Sequence, residues 1–422
     1  VYSGNETLSF ASIYIKEIKK GAQTDENGKY EITNVEAGSY TIIASYMGYQ
    51  TERRTIIITA DNKSQINFNL KEDANNLEEV VVSGTMKAVS RMETPVPVEV
   101  YTPAFLKKNP TSNIFEALQN VNGVRPQLNC SICNTGDIHI NGLEGPYTMV
   151  TIDGMPIVSS LSTVYGLSGI PNSLIERVEV VKGPASSLYG SEAVGGLINI
   201  ITKKPLNAPL FSADIFSTSW LETNVDLGFK SAIGKKATTL VGINYYNFNE
   251  KTDSNNDNFT DVTLQERISL FNKWSFDRKD YKEFTLAGRF FYEDRWGGEM
   301  QWNKSYRDGD EVYGESIYTR RFELLGKYQL PTIEDMFLSF SVTDHDQNSV
   351  YGNTIYMAQQ KIAYAQYTWD KQIENHNLLL GSVFRHQYYD DNTTATIEAE
   401  RTSIYSIFLQ DEIKMSEKHT VY

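Results

Sequence analysis

Apolar and polar positions divide the chain into regions of different period. Over residues 1 to about 70 they alternate in short runs, at 12–16, 30–33, 39–46, 54–59 and 65–70, between turn residues such as Asn27-Gly28, Asn34 to Gly38 and Gly48. That pattern predicts a small antiparallel β-domain. Residues 71–76 are a polar linker, and the following run, Leu77 to Thr85, holds three consecutive valines after Glu78 and Glu79. Such a run can add as a strand to an exposed sheet edge, or serve as an ordinary edge strand of the next domain. Residues 112–120 predict a short helix with Ser112 as N-cap and Ile114, Phe115 and Leu118 on one face. Strands are predicted at 137–141, 147–152, 176–181 and 196–202, separated by turns at Gly142, Asp153-Gly154, Gly183-Pro184 and Tyr189-Gly190, making a compact α/β module. Beyond about residue 208 the strands lengthen. Phe284, Leu286, Gly288, Phe290 and Tyr292 share one face, with Thr285, Ala287, Arg289, Glu293 and Arg295 on the other. Met336, Leu338, Phe340 and Val342 repeat the device against Ser339, Ser341, Thr343 and His345. Long alternating strands in series, with tyrosine and tryptophan near their ends, fit a transmembrane barrel better than a soluble sandwich.

Composition narrows the classes. The 422 residues carry a net charge of −14 and no long basic run, which argues against a nucleic-acid surface. No apolar run approaches the roughly 18 to 20 residues of a membrane-crossing helix, but barrel strands of about ten alternating residues escape that test. Two cysteines exclude a disulfide scaffold. The chain opens at Val1 without a signal peptide and reads as a mature protein or a fragment.

The first 70 residues, through Thr24 to Ile32, Val35 to Ile42 and Gly48 to Gln50, resemble the carboxypeptidase regulatory-like domain. No histidine precedes His139 and no zinc-spaced ligand set is present, so a catalytic reading of this domain has no support. Two later blocks carry a second resemblance. Residues 140–156 contain Asn141, Gly142, Asp153 and Gly154; residues 170–203 contain Arg177, Glu179, Lys182, Gly183, Pro184, Tyr189, Gly190, Gly195, Gly196 and Asn199. Both resemble the plug motifs of TonB-dependent receptors, and the N-terminal domain ahead of them is similar to the Bacteroidetes arrangement.

The resemblance implies a mainly β protein with four parts: a β-sandwich over 1–72, a linker and Ton box over 73–88, an α/β plug over 89–207, and the start of an antiparallel transmembrane β-barrel over 208–422. About ten strand-like segments are present, against the roughly 22 of the family's plugged barrels, so the sequence reads as a fragment. Glu78, Glu79, Val80, Val81, Val82, Ser83 and Gly84 fall where the family carries its Ton box. The implied function is active import, not enzymatic, across the cell outer membrane, with the plug and N-terminal domain reached from the periplasm. TonB and its inner-membrane energising complex are the implied partners, together with outer-membrane lipid, a small-molecule or metal-chelate cargo and a surface lipoprotein; nucleic acid is not. The implied cargo is a ferric siderophore or another iron complex, with cobalamin, haem and copper as alternatives and surface adhesion as the alternative from another class. No cofactor is required, and a metal or metal chelate enters only as cargo.

Individual residues leave choices open. The glycines at 183, 190, 195 and 196 suit turns and close packing. Arg177, Glu179 and Lys182 would need partners if buried against the barrel, with Arg289, Glu293 and Arg295 as candidates, or else be solvated in a wet lumen. Cys130 and Cys133, in a position the family turns toward the extracellular vestibule, could bind copper or zinc with help from Met149 or Met155. A local disulfide is the preferred alternative. His345, His376 and His386 form no spaced ligand set, and the acidic runs at 253–257 and 390–391 read as solvated loops.

Overall fold

The computed structural model describes residues 1–422 apart from 5, 9–10, 16, 19, 26, 47–48, 50, 60–63, 72–79, 88, 92–93, 109–110, 131–134, 157–162, 235 and 417–418. It divides into two compact units, Val1–Val80 with Ser90–Glu93, and Val81–Val89 with Thr94–Tyr422.

The first unit contains a four-stranded antiparallel sheet in the order Lys20–Gln23, Ser12–Ile15, Gly38–Ser45, Glu52–Ile58. Alternation in the third of these sends Tyr40, Ile42 and Ala44 into a core with Ile13 and Ile15. The runs expected as strands at 30–33 and 65–70 form no ladder of their own. They lie against the core, contributing Tyr30, Ile32 and Ile66 at its margin and Phe68 and Leu70 inside. Backbone bonds from Tyr2 N–H to Phe68 O (2.9 Å) and from Leu70 N–H to Tyr2 O (2.9 Å) hold the second of them. The strand Lys20–Gln23 went unpredicted because Lys-Gly-Ala-Gln offers no large apolar residue; the ladder to Ser12–Ile15 determines it.

The second unit is organised by a five-stranded mixed sheet in the order Met155–Pro156, Thr148–Ile152, Gly196–Thr202, Ile175–Lys182, Val98–Tyr101. Thr148–Ile152 and Gly196–Thr202 run parallel; the other pairs are antiparallel. Because side chains alternate across a strand, this sheet has two different buried faces. Val150, Ile152, Val178, Val180, Ile198 and Ile200 point into the main core, which also takes in Phe271, Ala287 and Leu325 from the long strands. Met149, Val181 and Leu197 point the other way, onto Val81 and Val98. Asn141-Gly142 and Asp153-Gly154 each have both residues at positive φ (52° and 84°; 50° and 81°). Each closes a two-residue hairpin turn, the type that Asn-Gly and Asp-Gly favour. The helix Ile114–Ala117 is capped by Asn113, one residue later than expected. The Asn113 side chain accepts from Glu116 N–H at 2.9 Å, and Ser112 Oγ instead takes a bond from Asn113 Nδ2 (2.9 Å).

The largest sheet has eleven antiparallel strands in sequential order, from Phe211–Ser217 to His419–Val421. The last is only three residues long, and the longest, Thr354–Ile373, has 20. The alternation expected at 284–295 and 336–345 is present. Arg289, Phe291, Glu293, Ser341, Thr343 and His345 are buried, while Phe290, Leu338 and Val342 are exposed on the other face. Apolar residues outside and polar ones inside is the polarity of strands that face lipid around a filled interior.

The module around the five-stranded sheet, the expected plug, meets this eleven-stranded wall at glycines where a Cβ would overlap a neighbour. A Cβ on Gly169 would stand 2.0 Å from the Phe291 ring, and one on Gly242 of the wall 2.4 Å from Leu174. Gly169→Val is expected to destabilise plug seating by about 1–3 kcal/mol, read as faster proteolysis of the plug in the folded protein. Adding Phe291→Ala should recover part of the loss; a Gly169→Val protein as resistant as wild type would contradict this packing.

Candidate functional site

Three polar residues interrupt the second face of the central sheet. Strand register puts Asn199 opposite both Glu179 and Thr151, so the three stand side by side across adjacent strands. All are fully buried. Over them lies the segment from Val81 to Thr85, with Val81 among Val98, Met149, Val181 and Leu197.

One oxygen of Glu179, Oε2, accepts from Val82 N–H (3.0 Å), Ser83 N–H (2.9 Å) and Ser83 Oγ (2.6 Å). The other, Oε1, accepts from Arg177 Nε at 2.8 Å and Nη2 at 2.7 Å. A buried carboxylate needs such a set, because its desolvation must be offset by charge-assisted bonds on both oxygens. Asn199 Nδ2 donates to Ser83 Oγ (3.0 Å), while its Oδ1 accepts from Thr151 Oγ1 (2.8 Å) and Gly154 N–H (3.0 Å). A Cβ on Gly84 would stand 3.1 Å from Val98, so the segment lies close to the sheet.

The turn that Asn199 touches is held from its other residue by the wall. Asp153 accepts from Thr202 N–H (2.9 Å) and Thr202 Oγ1 (2.7 Å), and Lys273 Nζ reaches Asp153 Oδ2 at 2.8 Å and Thr202 Oγ1 at 2.6 Å. Elsewhere the wall addresses plug main chain. Arg267 donates to Ser112 O (2.8 Å), Arg289 to Gly166 O (2.8 Å), and Ser269 Oγ to Gly169 O.

The expected pairing of plug charges with Arg289, Glu293 and Arg295 is therefore corrected. Arg289 pairs with Glu323 (2.7 Å), and Glu293 with Arg295 (2.6 Å) and Arg267 (3.7 Å), all within the wall. Arg177 pairs with Glu176 (2.9 Å) and Glu179, and Lys182 with Glu99 (2.6 Å), all within the plug. Neighbours on the same strand (Arg177 with Glu176 and Glu179, Glu293 with Arg295) and on adjacent strands (Arg289 with Glu323, Glu293 with Arg267, Lys182 with Glu99) satisfy these ions, and the wet-lumen alternative fails for Glu179 and for the three wall residues, which are buried.

Gly183 and Gly190 have positive φ, 108° and 89°. Gly196 combines φ 148° with a Cβ position 2.3 Å from Val181 O, and at Gly195 a Cβ would meet Tyr147 O at 3.0 Å. Burial pushes the Tyr189 phenol up, aided by the Glu179 and Tyr364 charges. Pro184 is exposed beside it. Glu78, Glu79 and Cys133 lie outside the described residues. Cys130 ends the strand Val124–Cys130, so the choice between disulfide and metal site also falls outside them. His345, His376 and His386 are not brought together: they contact Arg321, Asp411 and Ser403 respectively. Asp253 accepts from Asp257 and Asn258 N–H in an exposed turn. Sequence reasoning missed Lys273 and Arg267. Their signal was a basic residue on the inward-facing phase of Leu264–Phe276. It also missed a cavity of about 240 Å³ lined by Asn113, Phe115, Glu116, Gln119, Leu128 and Arg295.

Residues 1–82 match the CarboxypepD_reg-like domain and residues 90–197 the TonB-dependent Receptor Plug Domain, and the chain carries both. It is 30% identical over 220 residues to the ferric enterobactin receptor PirA of Pseudomonas aeruginosa, covering 47% of this chain and 28% of that protein. It is 25% identical over 280 residues to the vitamin B12 transporter BtuB of Vibrio cholerae, covering 58% and 46%. The chain thus spans less than half the length of these relatives. Among solved structures it resembles a mutant ferric enterobactin receptor, PfeA, from Pseudomonas aeruginosa (TM-score 0.59, 17% identity, 78% of this chain and 57% of that one). It also resembles the siderophore receptor PiuA from Acinetobacter baumannii (0.58, 14%, 78% and 56%). The fold is similar to that of a plug domain with part of its barrel wall.

The turn supplies a pH test. Burial would raise the Asp153 carboxyl, but the Lys273 ammonium and the Thr202 bonds outweigh it and hold it below its ordinary 3.8. A carboxyl depressed in the folded state stabilises above its unfolded value and loses that contribution as pH falls through the folded one. Plug resistance to proteolysis after acid exposure should be insensitive to this pair from pH 7 to about 5 and decline below about 3.8. Asp153→Asn should remove that acid-sensitive part; an unchanged acid profile in the variant would contradict it.

Proposed function

We propose that this chain, which carries a CarboxypepD_reg-like domain and a TonB-dependent receptor plug ahead of barrel strands, acts within an active importer of the cell outer membrane. The observation that carries the reading is the joint one of a plug seated by polar contacts on an apolar-outside wall and a valine-rich segment laid on the plug. In this reading the parts are 1–72, 73–88, 89–207 and 208–422, and Glu78 to Gly84 form the Ton box. TonB captures that segment by strand addition, in which several backbone bonds loaded together resist a pull with little demand on side chains. The plug motif residues keep the lumen closed at rest: Asn141-Gly142 and Asp153-Gly154 as tight turns, Gly183, Gly190, Gly195 and Gly196 as close-approach positions, and Arg177, Glu179, Lys182 and Asn199 as internal partners. Outer-membrane lipid faces Phe290, Leu338 and Val342, and the periplasm gives access to the N-terminal domain.

The cargo in this reading is a ferric siderophore or another iron complex, supported by the ferric enterobactin receptor among the relatives; cobalamin is the alternative that the vitamin B12 transporter supports. The cavity beside Arg295 and Glu116, near the strand end that leads into loop 299–313, is a recess of mixed polar and apolar lining where such a cargo could rest.

Deleting residues 78–84 should abolish energy-dependent uptake while leaving binding at the outer face unchanged. Uptake that survives the deletion, or that persists after the proton-motive force is collapsed, would overturn the coupling role. Growth of a knockout on single iron, cobalamin or copper sources identifies the cargo: a defect confined to iron complexes is expected, and one confined to copper or cobalamin would replace the siderophore reading.

A further inference from the structure

We infer that Glu179 and Asn199 form a clasp that holds the segment at Val82 and Ser83 on the plug, and that Asn199 ties this clasp to the Asp153-Gly154 turn anchored on the wall by Lys273. The inference rests on reading residues 78–84 as the coupling strand and says what keeps that strand docked.

Glu179 is the only carboxylate given to the segment among the described hydrogen bonds, and a single oxygen takes all three donors from Val82 and Ser83. Two of the three are consecutive main-chain N–H groups that converge on one oxygen, as they do where the chain bends after the strand residue Val81, so the clasp recognises the turn at that place and the hydroxyl fixes its register. Pulling the segment away removes all three donors together. It leaves Arg177 as the counter-ion on Oε1 and strips Asn199 Nδ2 of its partner, Ser83 Oγ. In a site from which water is excluded, that loss is felt by every group sharing the network. The Asn199 side chain is the branching point, because its amide oxygen also holds Thr151 Oγ1 and Gly154 N–H. One residue away, Asp153 carries the bond to Lys273 and the two to Thr202. Hydrogen bonds thus run from Ser83 through Asn199 to Gly154, and Asp153, the adjoining residue of the same turn, carries the connection to Lys273 of the wall. Glu179 and Asn199 act through the segment and the turn and are positioning residues.

The test uses the full chain in outer-membrane vesicles, with Cys130→Ser and Cys133→Ser as background and a nitroxide spin label on Val80→Cys, whose parent side chain is exposed. The ratio of mobile to immobile label reports release of the segment. Glu179→Gln removes the charge that attracts the three donors and should raise the ratio about tenfold, the change that loss of one charge-assisted bond produces. Ser83→Ala changes no residue of the central sheet and should raise it about threefold, so the inference stays testable if Glu179→Gln impairs folding. Lys273→Met should raise it by a smaller factor. Spectra unchanged in both Glu179→Gln and Ser83→Ala would overturn the clasp, and a rise in those two with none in Lys273→Met would overturn the tie to the wall. Uptake that survives deletion of residues 78–84 would overturn the coupling reading alone, since the spectra decide the clasp independently.

Discussion

Polar groups trapped between the plug and the wall must find partners there, because once water is excluded an unpaired donor or ion costs more than a paired one gains. The arrangement of the second unit follows from that constraint. Arg267, Arg289 and Glu323 are among the most deeply buried side chains of the chain, and each is held by ions or carbonyls within reach. The wall arginines divide their donors between carboxylates on neighbouring strands and main-chain carbonyls of the plug. Such contacts fix position through the backbone and tolerate different plug side chains.

The same constraint explains why the central plug sheet has two unlike faces. One face is filled by valine and isoleucine and meets the apolar inward residues of the wall. The other mixes Met149, Val181 and Leu197 with Thr151, Glu179 and Asn199. A wholly apolar second face would bind an apolar strand without regard to register, since one valine is much like the next. Glu179 and Asn199 require N–H and O–H donors at defined places, and Val82 and Ser83 supply them. The face therefore holds one segment in one register, through bonds that are lost together.

Wall and plug come into contact at places where a side chain is missing. Gly169 against Phe291, and Gly242 against Leu174, bring the two surfaces to contact distance where a Cβ would already overlap. Polar contacts set the alignment, and these close approaches remove the space in which water could compete.

Much of this was legible in the sequence because it is local. Alternation with period two is read from neighbours alone, and it separated the inward and outward faces at 284–295 and 336–345 correctly. Asn-Gly and Asp-Gly announce tight turns, and the blocks at 140–156 and 170–203 carry the plug resemblance without reference to distant residues. What the sequence could not decide is which charges meet. Glu179 and Ser83 lie 96 residues apart, and Lys273 and Asp153 lie 120 apart; nothing in either local pattern specifies the other. The pairing of Arg289 with Glu323 depends on the register of two adjacent strands, and register is set by the whole ladder and by the plug packed inside it. Even the helix cap, Asn113 in place of Ser112, follows this rule, since both side chains can cap and the Ser112 carbonyl is taken by Arg267 from the wall. Local chemistry determined the elements and their faces. Tertiary structure decided the partners, because a buried ion is satisfied by whatever the fold brings to within three ångströms or so of it.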